Sequence, residues 1–202
     1  EVLKKQTGGR GKYADIEFEL GPADNDVQQK GLQFENQIHG GNVPKDFMPA
    51  IQKGFETSMQ NGILAGYPID YMKVKVYDGS YHPVDSDAVA FEMCAKSAFK
   101  EAAKKAEAIL LEPVMNVEVV TPEEYMGDVM GDLNKRRGTL QGVDAKGDSQ
   151  VIKAYVPLSE MFGYVTQLRT MTSGRGVSSM MFSHYEKVPN NIANGILESV
   201  KG

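Results

Sequence analysis

The chain has 202 residues, of which 41% are hydrophobic and 24% charged, an ordinary composition for a globular protein. Its one cysteine, Cys94, excludes an internal disulfide framework, and its net charge of −5 excludes a strongly basic nucleic-acid-binding module. No apolar run is long enough to cross a membrane, and no signal-peptide pattern opens the chain, so the sequence predicts a soluble, cytoplasmic protein. The first residue, Glu1, favours a piece of a longer protein.

The first half of the chain predicts three strands followed or separated by two helices. Apolar and polar residues alternate over 14–20 and 72–77, and a further strand is predicted around Leu32–Ile38. Apolar residues at helical spacing predict a helix that Asn61-Gly62 ends: Phe47, Met48, Ile51, Phe55 and Met59. A longer helix is predicted from Ser86 to Ala108, with Asp85 or Ser86 as its N-cap. Small residues at i, i+4 spacing, with a buried Cys94, predict its packing face: Ala90, Cys94, Ala98, Ala102 and Ala106.

The second half predicts the order β-α-β-β-α-β, which is the ferredoxin-like arrangement. Its strands are predicted at 115–119, 139–143, 150–156 and 177–185, with a turn at 144–148 between the middle pair. Thr121 followed by Pro122 and Glu124 predicts a capping box at the start of the first helix. Apolar spacing predicts one face of the second helix: Leu158, Met161, Val165, Leu168 and Thr172. A short tail helix is predicted from Asn190 to Lys201.

No motif of a catalytic or metal site is present in the sequence. There is no GxxxxGK[ST] loop for a nucleotide phosphate, no GxSxG elbow and no HExxH pair. The three histidines, His39, His82 and His184, lie in separate segments, and most carboxylates fit the solvated faces of strands and helices. The residues therefore predict neither catalytic residues nor a metal site, and a small-molecule enzyme is the least favoured interpretation.

Three loops carry residues suited to RNA. Gly8-Gly9-Arg10-Gly11-Lys12 combines glycines, which allow close backbone approach, with two cations for phosphate. Gly79–Asp85 offers Tyr81 and His82 as stacking and hydrogen-bonding groups. Lys135-Arg136-Arg137 closes a helix and suits either phosphate or the helix dipole. Each loop also has a purely structural interpretation, as a terminal turn, a strand-to-helix connection or a helix C-terminus.

At these loops the sequence resembles the fourth and fifth domains of bacterial-type elongation factor G. The fourth domain is matched by Thr7–Tyr13, by Ala65-Gly66-Tyr67-Pro68 and by Gly79–Ser86. The fifth domain is matched by four stretches in the family's order: Leu111–Met115, Gly127–Leu133, Arg136-Arg137-Gly138 and Val156–Tyr164. The resemblance covers essentially the whole chain.

The resemblance implies an α+β protein of two domains. Residues 1–110 would form an elongated α/β unit with a left-handed βαβ crossover, and residues 111–202 a ferredoxin-like βαββαβ domain with the tail helix. In the family the tip of the fourth domain contacts tRNA and mRNA in the decoding region of the small ribosomal subunit. The implied contacts here are Gly8, Gly9, Arg10, Gly11, Lys12, Ser80, Tyr81, His82, Pro83, Val84 and Asp85. Lys12 departs from the glutamine that is common in the family.

The fifth domain implies a second contact, with the RNA of the large subunit that activates GTP hydrolysis. The implied residues are Ser159, Glu160, Met161 and Phe162, with Arg136 and Arg137 as weaker candidates. The resemblance implies a monomer that works with ribosome, tRNA and mRNA. It also implies a GTPase domain and second and third domains, which would hold GTP and magnesium and are absent from this chain. A ribosome-recycling paralogue and a stand-alone RNA-binding scaffold without GTPase stay open as alternatives.

Overall fold

The structure, a computed structural model, describes residues 2–5, 11–24 and 31–201. They fall into two compact units, each with its own sheet. The first takes the chain up to Ala108 together with the end of the chain from Gly195, and the second takes Ile109–Asn194. Among the described residues, no helix has the length and apolar character needed to span a membrane. The predicted α+β fold class is confirmed, because the chain forms two separate four-stranded sheets, each with helices.

The first unit is built on a four-stranded sheet in the order β1-β2-β4-β3. Its strands are β1 (Val2–Lys5), β2 (Lys12–Pro22), β3 (Leu32–Asn36) and β4 (Met72–Ser80). β2 runs antiparallel to β1 and β4, whereas β3 runs parallel to β4. The parallel pair is joined through helix α1 (Met48–Met59), so β3, α1 and β4 form a crossover unit.

Helices α1 and α2 (Ala88–Lys105) pack together over this sheet. Phe55 of α1 is fully buried and lies 4.9 Å, between ring centroids, from Phe18 of β2. The predicted burial of Cys94 is confirmed, and its thiol lies 3.6 Å from the carbonyl oxygen of Ala14.

The predicted packing face of α2 is correct only at its start. Ala90, Cys94 and Ala98 are buried, but Ala102 is half-buried and Ala106 is exposed and lies beyond the helix. A step of four residues turns an α-helix by about 400°, so an i, i+4 stripe rotates about 40° per step away from the sheet. The buried face instead follows the 3.6-residue period: Ala90, Phe91, Cys94, Ala95, Ala98, Phe99 and Ala103.

Two predicted helix caps are wrong. Asp87, rather than Asp85 or Ser86, caps α2, and its carboxylate accepts from the Ala90 N–H at 2.8 Å. Thr121 does not cap a helix, because strand β5 (Leu111–Pro122) continues through it and pairs it with Gln150. A 3₁₀ turn at Glu123–Tyr125 then leads into helix α3 (Met126–Lys135). The Thr121 hydroxyl is left buried without a hydrogen-bond partner.

The second unit confirms the ferredoxin-like order. Its sheet runs β6-β7-β5-β8 with every neighbouring pair antiparallel. Its remaining elements are β6 (Thr139–Lys146), β7 (Ser149–Pro157), α4 (Tyr164–Met171) and β8 (Val177–Lys187). The tail helix α5 (Asn190–Lys201) begins in this unit, but its residues from Gly195 belong to the first unit. The β6–β7 turn is shorter than predicted, because β6 pairs through to Lys146. Helices α3 and α4 cover one face of the sheet through a core that includes Val129, Leu133 and Leu168.

The helix predicted from Leu158 to Thr172 is interrupted. Leu158–Glu160 form a 3₁₀ turn, and α4 starts only at Tyr164. Between them Gly163 has a φ of 71°, a left-handed conformation that ends the first turn and changes the phase of the second. Val165, predicted as a core residue, is therefore 54% exposed, and Tyr164 is buried in its place.

Candidate functional site

The loop between β4 and α2 carries the exposed residues of the first unit's predicted site, as far as the structure describes that site. Tyr81, His82, Pro83 and Val84 all face solvent, and Asp85 is half-buried. The loop follows the C-terminal end of β4, and the N–H of Tyr13 at the start of β2 donates to the Asp85 carbonyl at 2.9 Å. The structure thus brings the residues of this loop to one end of the sheet, beside the start of β2.

Hydrogen bonds close this loop into a compact turn. The Ser86 N–H donates to the His82 carbonyl at 3.0 Å, and the His82 N–H donates back to the Ser86 hydroxyl at 2.8 Å. The same hydroxyl donates to the Tyr13 carbonyl at 2.7 Å. Ser86, which the sequence predicted as a possible helix cap, therefore ties the loop to β2 and holds its shape.

The His82 ring is oriented by its own turn. Its Nδ1 lies 3.3 Å from the backbone nitrogens of both Val84 and Asp85, whose N–H groups donate to it. An acceptor at Nδ1 places the proton of the neutral ring on Nε2. The side chain is 54% exposed, so the Nε2–H group is available as a donor to a ligand.

Among the other predicted contacts at this end, Lys12 and Ser80 bond to residues that flank the loop. Gly8, Gly9 and Arg10 lie outside the described residues, and Gly11 is buried. Lys12 forms an ion pair with Asp87, the cap of α2, so its ammonium group binds β2 to the helix N-terminus. The Ser80 hydroxyl donates to the Asp15 carboxylate at 2.9 Å and lies 2.7 Å from the Tyr13 hydroxyl.

In the second unit, the predicted contact loop 159–162 exposes one aromatic ring. Phe162 is 80% exposed, the largest value among the large apolar side chains of the described residues. Ser159 is also exposed and Glu160 is half-buried. Met161, predicted as an RNA contact, is 8% exposed and belongs to the hydrophobic core. It anchors the loop, because the 3₁₀ turn points its side chain inward.

Arg137 holds this loop to the start of β5. Its guanidinium group donates twice to Glu112, at 2.8 and 2.9 Å, and once to Glu160 at 3.0 Å. These partners, with Glu112 first, raise the pKa of Arg137 above its ordinary value. Its backbone has a φ of 58°, a left-handed conformation that is unfavourable for a residue with a Cβ.

Arg136 holds the same loop from the other side. Its guanidinium group pairs with Asp132 at 2.8 Å and donates to the Glu160 carbonyl at 2.5 Å. It also lies 5.1 Å from the centroid of the Tyr164 ring, and burial raises the pKa of that phenol. Through these bonds both arginines position the Ser159–Phe162 loop.

The described residues contain no group of three or more histidine, cysteine, aspartate or glutamate side chains arranged to hold a metal ion. Three carboxylates at this end of the first sheet, those of Asp15, Asp78 and Asp87, accept hydrogen bonds from neighbouring side chains or backbone N–H groups.

A further segment, which the sequence analysis did not single out, lies at this end of the first unit. Residues 39–42 follow the C-terminal end of β3, and β3 pairs parallel with β4. Only this pairing brings that segment to the same end of the sheet as Tyr81–Asp85, here called the His82 loop. The sequence signal for this segment is the pair Gly40-Gly41, which follows the strand predicted around Leu32–Ile38 and favours a turn.

Comparisons with known proteins agree with this fold. Residues 1–107 match the family model described as elongation factor G, domain IV, and residues 109–196 match the model described as elongation factor G C-terminus. Proteins named elongation factor G from Amoebophilus asiaticus and Cytophaga hutchinsonii are each 61% identical over the whole chain.

The chain spans 28% of the length of each of these relatives. A crystal structure of a Thermus thermophilus protein superposes with a TM-score of 0.89 at 40% identity, covering 99% of this chain and 29% of that one. The two family models together account for nearly all of the sequence, in the order in which the two units occur. The chain belongs to the elongation factor G family, of which it carries domain IV and the C-terminal domain.

Proposed function

We propose that this chain is the ribosome-engaging C-terminal part of a translation factor that promotes GTP-dependent movement of tRNA and mRNA from the A site to the P site. Its family membership supports this role. GTP hydrolysis and magnesium binding belong, in this proposal, to a GTPase domain outside the chain, to which second and third domains connect it. The factor acts as a monomer on cytoplasmic ribosomes.

The exposed loop at Tyr81–Val84 is the observation that carries the proposal. It stands at the end of a sheet that the 18-residue helix α2 stiffens along about 27 Å. Unpaired RNA bases are recognised by stacking on aromatic rings and by hydrogen bonds to their edges. Tyr81 offers the ring, and the Nε2–H group of His82 offers the donor.

The first unit acts in this mechanism by occupying space and holding the tRNA and mRNA together. The loop needs a fixed shape for that, which the Ser86 hydrogen bonds and the Lys12–Asp87 ion pair supply. Lys12 and Ser80 therefore contribute by positioning the loop, and Tyr81 and His82 make the contacts. No covalent chemistry is required of these residues.

The second unit provides the contact with large-subunit RNA through Ser159, Glu160 and Phe162. A ring that is 80% exposed on a firmly held loop is a stacking surface for an unpaired base. Arg136 and Arg137 keep the loop in the shape that exposes this ring.

Replacement of His82 in the full-length factor tests the proposal. His82→Ala is expected to slow single-round translocation while ribosome-stimulated GTP hydrolysis stays near the wild-type rate. His82→Gln, whose amide nitrogen lies near the position of Nε2, is expected to recover part of the rate. His184→Ala provides a matched control in the second unit. Equal loss of translocation and GTP hydrolysis in His82→Ala would contradict a role at the tip.

A further inference from the structure

We propose that residues 39–42, here called the His39 loop, form an additional RNA-contacting loop beside the His82 loop, with His39 stacking on an unpaired nucleotide. The inference rests on the proposed function and extends the tip to a segment that neither the sequence motifs nor the family resemblance singled out. Its partner is a single-stranded nucleotide, whichever RNA supplies it.

Strand pairing places the His39 loop at the same end of the sheet as the His82 loop. Asn36, the last residue of β3, pairs with Val76 four residues before the end of β4. The Gln37 N–H donates to the Val76 carbonyl at 2.8 Å and continues this pairing by one residue. Both strands point the same way, so their following loops leave the sheet side by side.

The residues that flank the His39 loop pack against the core, whereas the loop itself is exposed to solvent. Ile38 packs against the core, Val43 is 2% exposed, and the four residues between them are exposed. Gly79 of β4 lets Val43 approach closely, since a Cβ at that glycine would lie 2.9 Å from a Val43 methyl carbon. The Asn42 amide also donates to the Asp78 carboxylate at 2.9 Å.

His39 is the one side chain of the loop with a ring to offer. Within the described part of the chain, no hydrogen bond or ion pair engages that ring, so it is available to a ligand. Gly40 and Gly41 follow it with φ values of 85° and 77°, and without side chains they leave room for a base to approach the ring.

The charge beside the loop favours a base or ribose over a phosphate. Hydrogen bonds from the Asn42 amide and the Gly79 N–H hold the pKa of Asp78 below its ordinary value, so this carboxylate is negative at neutral pH. A phosphate would be repelled by it. A ribose 2′-hydroxyl could donate to it instead, which is a contact that RNA has and DNA lacks.

The test uses the full-length factor on ribosomes carrying tRNA and mRNA. His39→Ala is expected to slow translocation about fivefold, the low end of what stacking one base contributes, with GTP hydrolysis unchanged. His39→Phe keeps a stacking ring and is expected to retain most of the rate. His184→Ala, at a half-buried histidine of the second unit, is expected to translocate at the wild-type rate.

The outcomes separate this inference from the proposed function. A wild-type rate for His39→Ala, together with a slow His82→Ala variant, would overturn the His39 loop and leave the function standing. Wild-type rates for both variants would overturn both. A His39→Phe variant as slow as His39→Ala would overturn stacking, and equal loss of GTP hydrolysis would overturn a role at the tip.

Directed cleavage from residue 39 identifies which RNA lies near the His39 loop. A His39→Cys variant, with the reactive cysteines elsewhere in the factor replaced, can carry an iron chelate for directed hydroxyl-radical cleavage. Cys94 is buried and can stay. Cleavage of mRNA, tRNA or small-subunit RNA supports the proposal and names the source of the nucleotide. Absence of cleavage, with a matched probe at Val84 cutting normally, would overturn it.

Discussion

Replacement of Arg137 tests how strongly the Ser159–Phe162 loop is held. The Arg137 and Glu112 side chains are only 27% and 13% exposed, and three hydrogen bonds to carboxylates depend on this arginine. Breaking a buried ion pair costs about 3–5 kcal/mol, and partial exposure places Arg137→Ala near the lower end, at about 3 kcal/mol of unfolding free energy.

A glycine at the same position separates the side-chain contacts from the backbone conformation. Arg137 has a φ of 58°, which costs a residue with a Cβ about 1 kcal/mol that glycine does not pay. Arg137→Gly should therefore destabilise the chain by about 2 kcal/mol, less than Arg137→Ala, even though both remove the guanidinium group. Among the three variants, Arg137→Lys should have a stability closest to wild type, because lysine keeps the positive charge. It should still be less stable than wild type, because lysine cannot form the two parallel bonds to Glu112.

Urea unfolding followed by far-UV circular dichroism measures these differences on the whole chain. Hydrogen exchange of the β5 and β7 amides assigns the loss to the second unit. Arg169→Ala, an exposed arginine on α4, is the control and should change stability by less than about 0.5 kcal/mol. An Arg137→Ala variant as stable as this control, or a glycine variant no more stable than the alanine variant, would refute the role assigned to Arg137.

Three further predictions concern stability. Thr121→Val removes a buried hydroxyl without a partner, so urea unfolding should show stability unchanged or raised by up to about 1 kcal/mol, and a clear loss would reveal a hidden partner. Tyr164→Phe keeps the ring beneath Arg136 and removes a second such hydroxyl, so its melting temperature should not fall. Lys73 donates to Asp24 and Glu35 and lowers the pKa of both carboxyls below their ordinary values of 3.8 and 4.5. That contribution is complete above about pH 5 and is lost as the pH falls through the lowered values. Between pH 6 and pH 3 the melting temperature should therefore fall less steeply in Lys73→Met than in wild type.

Apart from β1, which the sequence did not predict, the strands and main helices could be predicted from the sequence because helices and strands impose different periods on the apolar residues. Alternation at Ala14, Ile16 and Phe18 marked β2, and the spacing of Ile51, Phe55 and Met59 marked α1. The β-α-β-β-α-β order and the whole tail helix were recovered in the same way. These patterns are local, because each side chain's burial depends mainly on the face of its own element.

Only the tertiary structure decided which polar groups meet. Lys12 and Asp87 are 75 residues apart, and Arg137 and Glu112 are 25 apart, so no local pattern indicates either pair. The sequence placed arginines at a helix end, where phosphate binding and interaction with the helix dipole were equally compatible. In the folded chain Arg136 and Arg137 lie among carboxylates and carbonyl oxygens, to which their guanidinium groups donate.

The two exposed loops of the first unit differ in the same way, since local residues indicate one and only tertiary structure positions the other. The sequence by itself identified the His82 loop through its residues and the family pattern that they match. The position of the His39 loop beside it depends on the parallel pairing of β3 with β4, which backbone hydrogen bonds between distant segments determine. Local residue patterns specify the elements, whereas the register between elements decides which loops share a surface.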